Sequence, residues 1–278
     1  MADEGTDKAT AAPGGDGTRR EVSLERVFSR TFGTIRSNPV GTLGIAFTFS
    51  ALPLLLFNYF SQGARGPEAL IRIGTWGSAA GLIVGFIVGV ALASLTLSAL
   101  VRATVAHSEG RESSIAESVI AGLRAFVPLM ALTIMATVAE LIGFVFLIVP
   151  GVIVYCVLAV AAPALVAEGI GPVAAMDRSA DLTSGARWKV FGIGLVVGIG
   201  TWAVTATFSA LSFQMVGGMQ ALAEATSEGR VPLAYFVIEA IGRTLSSCVW
   251  GVLASALYVE LRDWKEGPRS EALAEVFA

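Results

Sequence analysis

Charge is what this sequence has least of: 19 Lys and Arg and 22 Asp and Glu in 278 residues, or 15% of the chain. A soluble domain carries about a quarter of its residues as charged groups. The deficit, with 54% apolar residues and a mean hydropathy of +0.72, excludes an ordinary globular enzyme. Histidine is nearly absent. His107 stands alone beside Ser108 and Glu109, which excludes a histidine-based metal cluster and leaves the many serines without a histidine base. Cys156 and Cys248 both lie in apolar runs, too few for a disulfide framework, and read as small packing residues. No excess of positive charge exists either: a net charge of −3 and a pI near 5.3 argue against a nucleic-acid partner. Adjacent apolar runs hold no aspartate pair of the kind an intramembrane aspartyl protease needs, because Asp177 and Asp181 share a helix face outside those runs. No cofactor is expected.

What is present is a series of long uncharged stretches. Residues 37–64, 73–101, 141–167 and 190–223 carry no charge. Two more apolar stretches are interrupted, one by Glu140 and one by Glu239 and Arg243. About 20 apolar residues cross a bilayer, and a charge near its centre is costly. The reading is an all-α polytopic membrane protein with about six transmembrane helices, near Val40–Phe60, Gly74–Val101, Ala125–Val149, Gly151–Ala167, Val190–Phe213 and Leu233–Val259. Residues 1–20 read as a disordered cytoplasmic tail, 21–263 as the membrane domain and 264–278 as a short cytoplasmic tail. The N-terminal region is polar, and the Arg19–Arg20 pair precedes an amphipathic stretch rather than the apolar run a twin-arginine signal requires.

Lysine and arginine set the expected orientation, since cytoplasmic loops retain them. With both termini inside, fifteen of the nineteen fall in inner segments, Arg65, Arg72 and Arg230 fall outside, and Arg243 lies within a span. Trp188, Tyr258 and Trp264 then lie near the inner interface, and Tyr59, Trp76 and Tyr235 near the outer one.

A weak repeat precedes the first, third and fifth spans. Leu24, Val27, Phe28, Phe32 and Ile35 recur at helical spacing before a break at Asn38–Pro39. Ser114 and Glu117 form a capping-box pattern ahead of Ile115, Val119, Leu123 and Phe126. A third segment opens at Gly171–Pro172 and closes at Gly185. The expectation is three units, each an interfacial helix followed by a transmembrane hairpin.

Two sets of residues carry the chemistry that can be read. Gly77, Gly81, Gly85, Gly89 and Ala93 recur at every fourth place in the second span, a smooth helix face that serves helix packing within one subunit or a homodimer seam. Glu140, Glu239 and Arg243 are intramembrane charges in the outer half. Glu239 and Arg243 stand four apart in the favourable order for an ion pair, and Glu140 completes a triad if the third and sixth spans touch. Such a triad, one charge short of neutral, either locks the bundle or carries protons.

After the fourth span runs Glu168-Gly-Ile-Gly-Pro-Val-Ala-Ala-Met-Asp-Arg178-Ser179-Ala-Asp-Leu182-Thr-Ser-Gly185-Ala-Arg187-Trp188. Ala175, Arg178, Ser179, Leu182, Gly185 and Trp188 follow an Ala-x-x-Arg-Ser-x-x-Leu-x-x-Gly-x-x-Trp pattern after an acidic residue. With Pro150–Gly151, the opening Arg30…Pro39 and the closing Leu257…Arg262, this resembles the bacterial membrane domain that in some proteins precedes a glycerophosphodiester phosphodiesterase and elsewhere stands alone. The resemblance covers roughly residues 24–266 and implies a location in the bacterial cytoplasmic membrane. It transfers no catalytic residue, because the phosphodiesterase activity belongs to a separate barrel for which the 14 residues after Trp264 leave no room. Read on their own, Arg178, Arg187 and Lys189 at headgroup level suit anionic lipid, with Trp188 as an anchor, and they equally suit topology and helix docking.

The expected function is therefore a non-enzymatic membrane protein with a structural, regulatory or lipid-associated role. Its expected partners are membrane lipids, anionic ones included, and a second copy or another membrane protein. A small permease using the three intramembrane charges is the alternative, and a lipid-acting intramembrane enzyme is the least supported, since no acid, base or nucleophile is assembled.

Overall fold

The computed structural model describes residues 22–61, 79–108 and 115–267, and the regular structure among them is helical. Helix α1 spans Leu24–Ser37. Helices α2 (Pro39–Ala46) and α3 (Leu52–Ser61) form one rod joined by a π-helical turn at Phe47–Ala51. There follow α4 (Ala79–Ser108), α5 (Ile115–Phe146), α6 (Ile148–Leu158), α7 (Ala161–Glu168), α8 (Pro172–Thr183), α9 (Arg187–Val216), α10 (Met219–Glu228) and α11 (Leu233–Glu266). Five candidate spans emerge: Pro39–Tyr59, Ala125–Phe146, Ile148–Glu168, Arg187–Val216 and Leu233–Glu266. The second expected span falls on α4, where Ile87–Arg102 is a shorter apolar stretch. The expected N-terminal tail, Gly77 and the Ser114 cap lie outside the described residues.

The amphipathic segments divide. Asn38 ends α1 and caps α2, its Oδ1 accepting from the Gly41 N–H at 2.9 Å, with Pro39 in the first turn of the new helix. Gly185, at φ +85°, separates α8 from α9, a conformation glycine adopts without strain. The second segment is not a separate interfacial helix: α5 runs unbroken for 32 residues into the third span. No proline stands between Ile115 and Ala125 to stop it, and the lone Gly122 is tolerated within a helix.

The fourth span is broken instead. Pro163 lacks the N–H that would bond the Ala159 carbonyl, and α6 gives way to α7 at Ala159–Val160. Its entry is tight as well. Leu147 is extended, and α6 turns back on α5 so closely that a Cβ on Gly151 would lie 2.5 Å from the Phe144 ring. Lipid gives apolar side chains no hydrophobic reason to leave it, so such backbone approaches carry much of the packing.

Helix α11 is the post of the bundle. It packs against α9, α4, α1 and the α2–π–α3 rod, and at its C-terminal end against α7 and α8. A Cβ on Gly251 would lie 2.4 Å from Leu100 Cδ1 of α4, so a larger residue at this crossing would have to displace that side chain. The largest core cluster gathers Val27, Val160, Leu182, Ile193, Tyr258 and Leu261 around the C-terminal end of α11.

Candidate functional site

Charged side chains concentrate at two levels of α11. At its C-terminal end they neutralise one another. Glu260, 2% exposed, accepts from Arg26 Nε at 2.7 Å and from the Ser23 backbone N–H at 3.3 Å, both of which belong to or precede α1. Arg30 pairs with Asp263 at 2.9 Å. The hydrogen bond to Glu260 outweighs partial burial and holds the Arg26 guanidinium above its ordinary pKa. Arg26 and Arg30 thus face protein, and the stripe of α1 buried with them is Val27, Thr31 and Thr34, whereas Leu24 and Phe32 are exposed.

The segment after the fourth span joins the same end. Arg178 Nε donates to Glu168 at 2.8 Å and its Nη2 to Glu266, while Tyr258 Oη donates to Glu168 at 2.8 Å. Partial burial opposes the Arg178 charge, but its carboxylate partners prevail and raise its pKa. Ser179 is completely buried, and its Oγ donates to the Val157 carbonyl at 2.6 Å and accepts from the Val160 N–H at 3.3 Å. Those are backbone groups at the α6–α7 break, where the regular helical bonds are interrupted. The Glu168, Arg178 and Ser179 set therefore comes together as a clasp, with each group committed to protein. Arg187 and Trp188 are exposed, Trp188 to 85% with its ring edge-on to Phe191, and Lys189 is half-buried.

The other level is different. Between the α2–π–α3 rod, α9 and α11 lies a half-open cavity of about 610 Å³. Its lining runs along α11 from Tyr235 to Trp250, about 22 Å of helix. Leu54, Leu55, Phe208 and Trp250 supply apolar wall, and Asn58, Glu239 and Arg243 supply polar groups toward one end. Three hydroxyls deeper in the cavity are already engaged: Thr205 and Ser246 bond each other at 3.0 Å, and Ser247 bonds the Thr244 carbonyl.

Glu239 and Arg243 both line this cavity yet form no ion pair. Glu239 turns to α9, where Ser212 donates to one carboxylate oxygen at 2.6 Å and Ser209 approaches the other at 3.4 Å. Arg243 is exposed, and no ion pair to it occurs among the described residues. Glu140 does not complete a triad: its helix, α5, packs on α4, α6, α7 and α8, and Glu140 lies near Tyr155 of α6. Gly81 and Gly85 lie on α4, and Gly89 is exposed, with open space where a Cβ would stand. Cys156 and Cys248 are buried and unpaired with each other. No cluster of three or more metal-ligating side chains occurs among the described residues.

Comparison with protein-family models, curated proteins and solved structures finds no match. A hydrocarbon core needs about 20 helical residues. Counted from Glu260 it ends near Ala240, from Lys189 near Ser209, and from Pro39 near Tyr59. Asn58, Ser209, Ser212, Glu239 and Arg243 consequently share one level, bordered by contacts of Tyr59 with Phe236 and of Tyr235 with Phe213. Aromatic side chains of this kind sit where hydrocarbon meets headgroups.

Proposed function

We propose that this chain is a non-enzymatic, lipid-associated protein of a bacterial cytoplasmic membrane, with both termini cytoplasmic and the cavity opening toward the outer leaflet. The observation carrying this reading is the cavity itself. It runs from headgroup level, at Glu239 and Arg243, to about mid-membrane at Trp250, which is the length and polarity profile of one lipid molecule rather than of a water-soluble substrate. The opposite end of α11 supports the orientation, since the positive-inside bias and the arginines of α1 agree on a cytoplasmic side there. Exposed Arg187 and Trp188 add a second, peripheral contact with anionic headgroups. The resemblance to the phosphodiesterase-associated membrane domain fits the same role and rests on the Ala175 to Trp188 motif.

A small permease is the second reading. The π-helical turn at Phe47–Ala51 favours it, because such turns recur where helices serve ligands, and Ser50 and Ala51 line the cavity.

The test is native mass spectrometry of the full chain extracted in mild detergent. Wild type is expected to retain phospholipid, and Leu54→Trp, which fills the cavity, is expected to retain at least fivefold less while staying folded. Equal retention by the two would remove the lipid-binding reading. Flux of a small solute in proteoliposomes, blocked by the same substitution, would move the assignment to the permease.

A further inference from the structure

We infer that the cavity holds a zwitterionic aminophospholipid, with its phosphate on Arg243 and its ammonium on Glu239. The inference rests on the lipid-binding reading above and adds the headgroup class.

Three features of the cavity lead to it. The first is separated charge. Glu239 and Arg243 are one turn apart on α11 in an order that favours pairing, yet Ser212 and Ser209 draw the carboxylate toward α9 and the guanidinium has no ion pair among the described residues. A cation and an anion held apart in one pocket present a complementary field to a ligand that carries both charges.

The second is capacity. A carboxylate has about four acceptor positions, and the two serines use two of them, so Glu239 can accept further N–H donors. Arginine offers a planar fork that matches phosphate oxygens. Thr205, Ser246 and Ser247 deeper in the cavity are engaged with one another or with backbone, and Glu239 and Arg243 are the charged groups of its lining.

The third is order along the bilayer normal. Glu239 lies about 6 Å nearer the headgroup end of α11 than Arg243. In an ethanolamine phospholipid the ammonium lies two carbons beyond the phosphate, and the acyl chains lie on its other side. The ligand therefore meets Glu239, Arg243 and the Leu54, Leu55 and Trp250 walls in the sequence ammonium, phosphate, chains. Phosphatidylcholine has the same charges but no N–H to give Glu239, and phosphatidylglycerol has no cation.

The experiment uses Trp250, which its indole N–H fixes to Thr201 at 3.1 Å, as the reporter. Full-length protein in detergent is titrated with phosphatidylethanolamine, phosphatidylcholine or phosphatidylglycerol carrying brominated chains, and the Trp250 contribution is isolated by subtracting Trp250→Phe. Phosphatidylethanolamine is expected to quench at about tenfold lower concentration than the other two, as one charge-assisted hydrogen bond predicts. Glu239→Gln is expected to bring the three lipids within about twofold of one another, and Arg243→Gln to weaken all three about tenfold. Equal quenching by all three lipids in wild type overturns the headgroup inference and leaves lipid binding standing. Absence of Trp250 quenching by any lipid overturns both. Displacement of the brominated lipid by soluble glycerophosphoethanolamine as readily as by phosphatidylethanolamine would show a site for the headgroup alone and would overturn the lipid assignment. The wild-type lipid series, with Trp250→Phe as its baseline, decides the matter even where Glu239→Gln or Arg243→Gln fails to fold.

Discussion

The two ends of α11 hold charges of the same kinds in opposite conditions. At the C-terminal end, Glu260 lies buried between partners from α1, and Glu168, Arg178 and Glu266 satisfy one another. At the other end, Glu239 and Arg243 share a cavity and do not pair. A charge that is matched within the chain is spent on geometry, because removing its partner leaves an uncompensated ion at a cost of several kcal/mol. A charge that is left unmatched has its interaction energy available to a ligand. The contrast separates residues that hold α1, α7 and α8 onto α11 from residues open to chemistry, although charge counting along the sequence gives both sets equal weight.

Substitutions can test that separation. Glu260→Ala is expected to have the largest effect, a loss of about 3 kcal/mol in thermal or denaturant unfolding in detergent, since it leaves Arg26 without its buried carboxylate and strips one partner from Arg30. Ser179→Ala follows, at about 2 kcal/mol, because the Val157 carbonyl and the Val160 N–H both lose their side-chain partner. A destabilisation below the error of the measurement would show that the break is satisfied in another way. Gly151→Val is expected to cost about 1–3 kcal/mol by driving a side chain into Phe144. Arg243→Gln stands last, within about 0.5 kcal/mol of wild type in the same assay, as expected for a group with no ion pair among the described residues. If Arg243→Gln instead destabilised the protein as much as Glu260→Ala, the two ends would be equivalent and the comparison would fail.

The spans were legible because each is bounded by charges, and a charge inside a membrane is expensive enough to leave a clear signal. The break in the fourth span carried its own mark, Pro163, which hydropathy scores as an ordinary residue and backbone chemistry does not. Continuity of α5 was hidden by the amphipathic pattern of residues 115–126, since a helix emerging from lipid and a helix lying on it share the same period. The π-helical turn at Phe47–Ala51 precedes Pro53, which has no N–H to bond the Phe49 carbonyl, a mark of the same kind that hydropathy also passes over.

Site residues show the same limits. Spacing brought Glu168, Arg178 and Ser179 into one motif, but the role of Ser179 depends on a backbone gap two helices earlier. Arg26 and Arg30 lie on the polar side of the amphipathic α1, and the carboxylates of Glu260 and Asp263 turn that side inward. Glu239 and Arg243 had pairing order but lacked a pair, because Ser209 and Ser212 lie in an uncharged run where hydroxyls go unnoticed. Glu140 required a contact between α5 and α11 that the packing gives to α6 instead.

The dependence of the α6–α7 break on Ser179 has a consequence for how the chain is made. Ser179 follows Val160 by 19 residues and Val157 by 22, so these two peptide groups remain without that partner until α8 has followed the fourth span out of the ribosome and docked against it. The fourth span and the amphipathic helix after it are thus one unit of assembly, and a chain truncated between Glu168 and Ser179 would carry the α6–α7 break open.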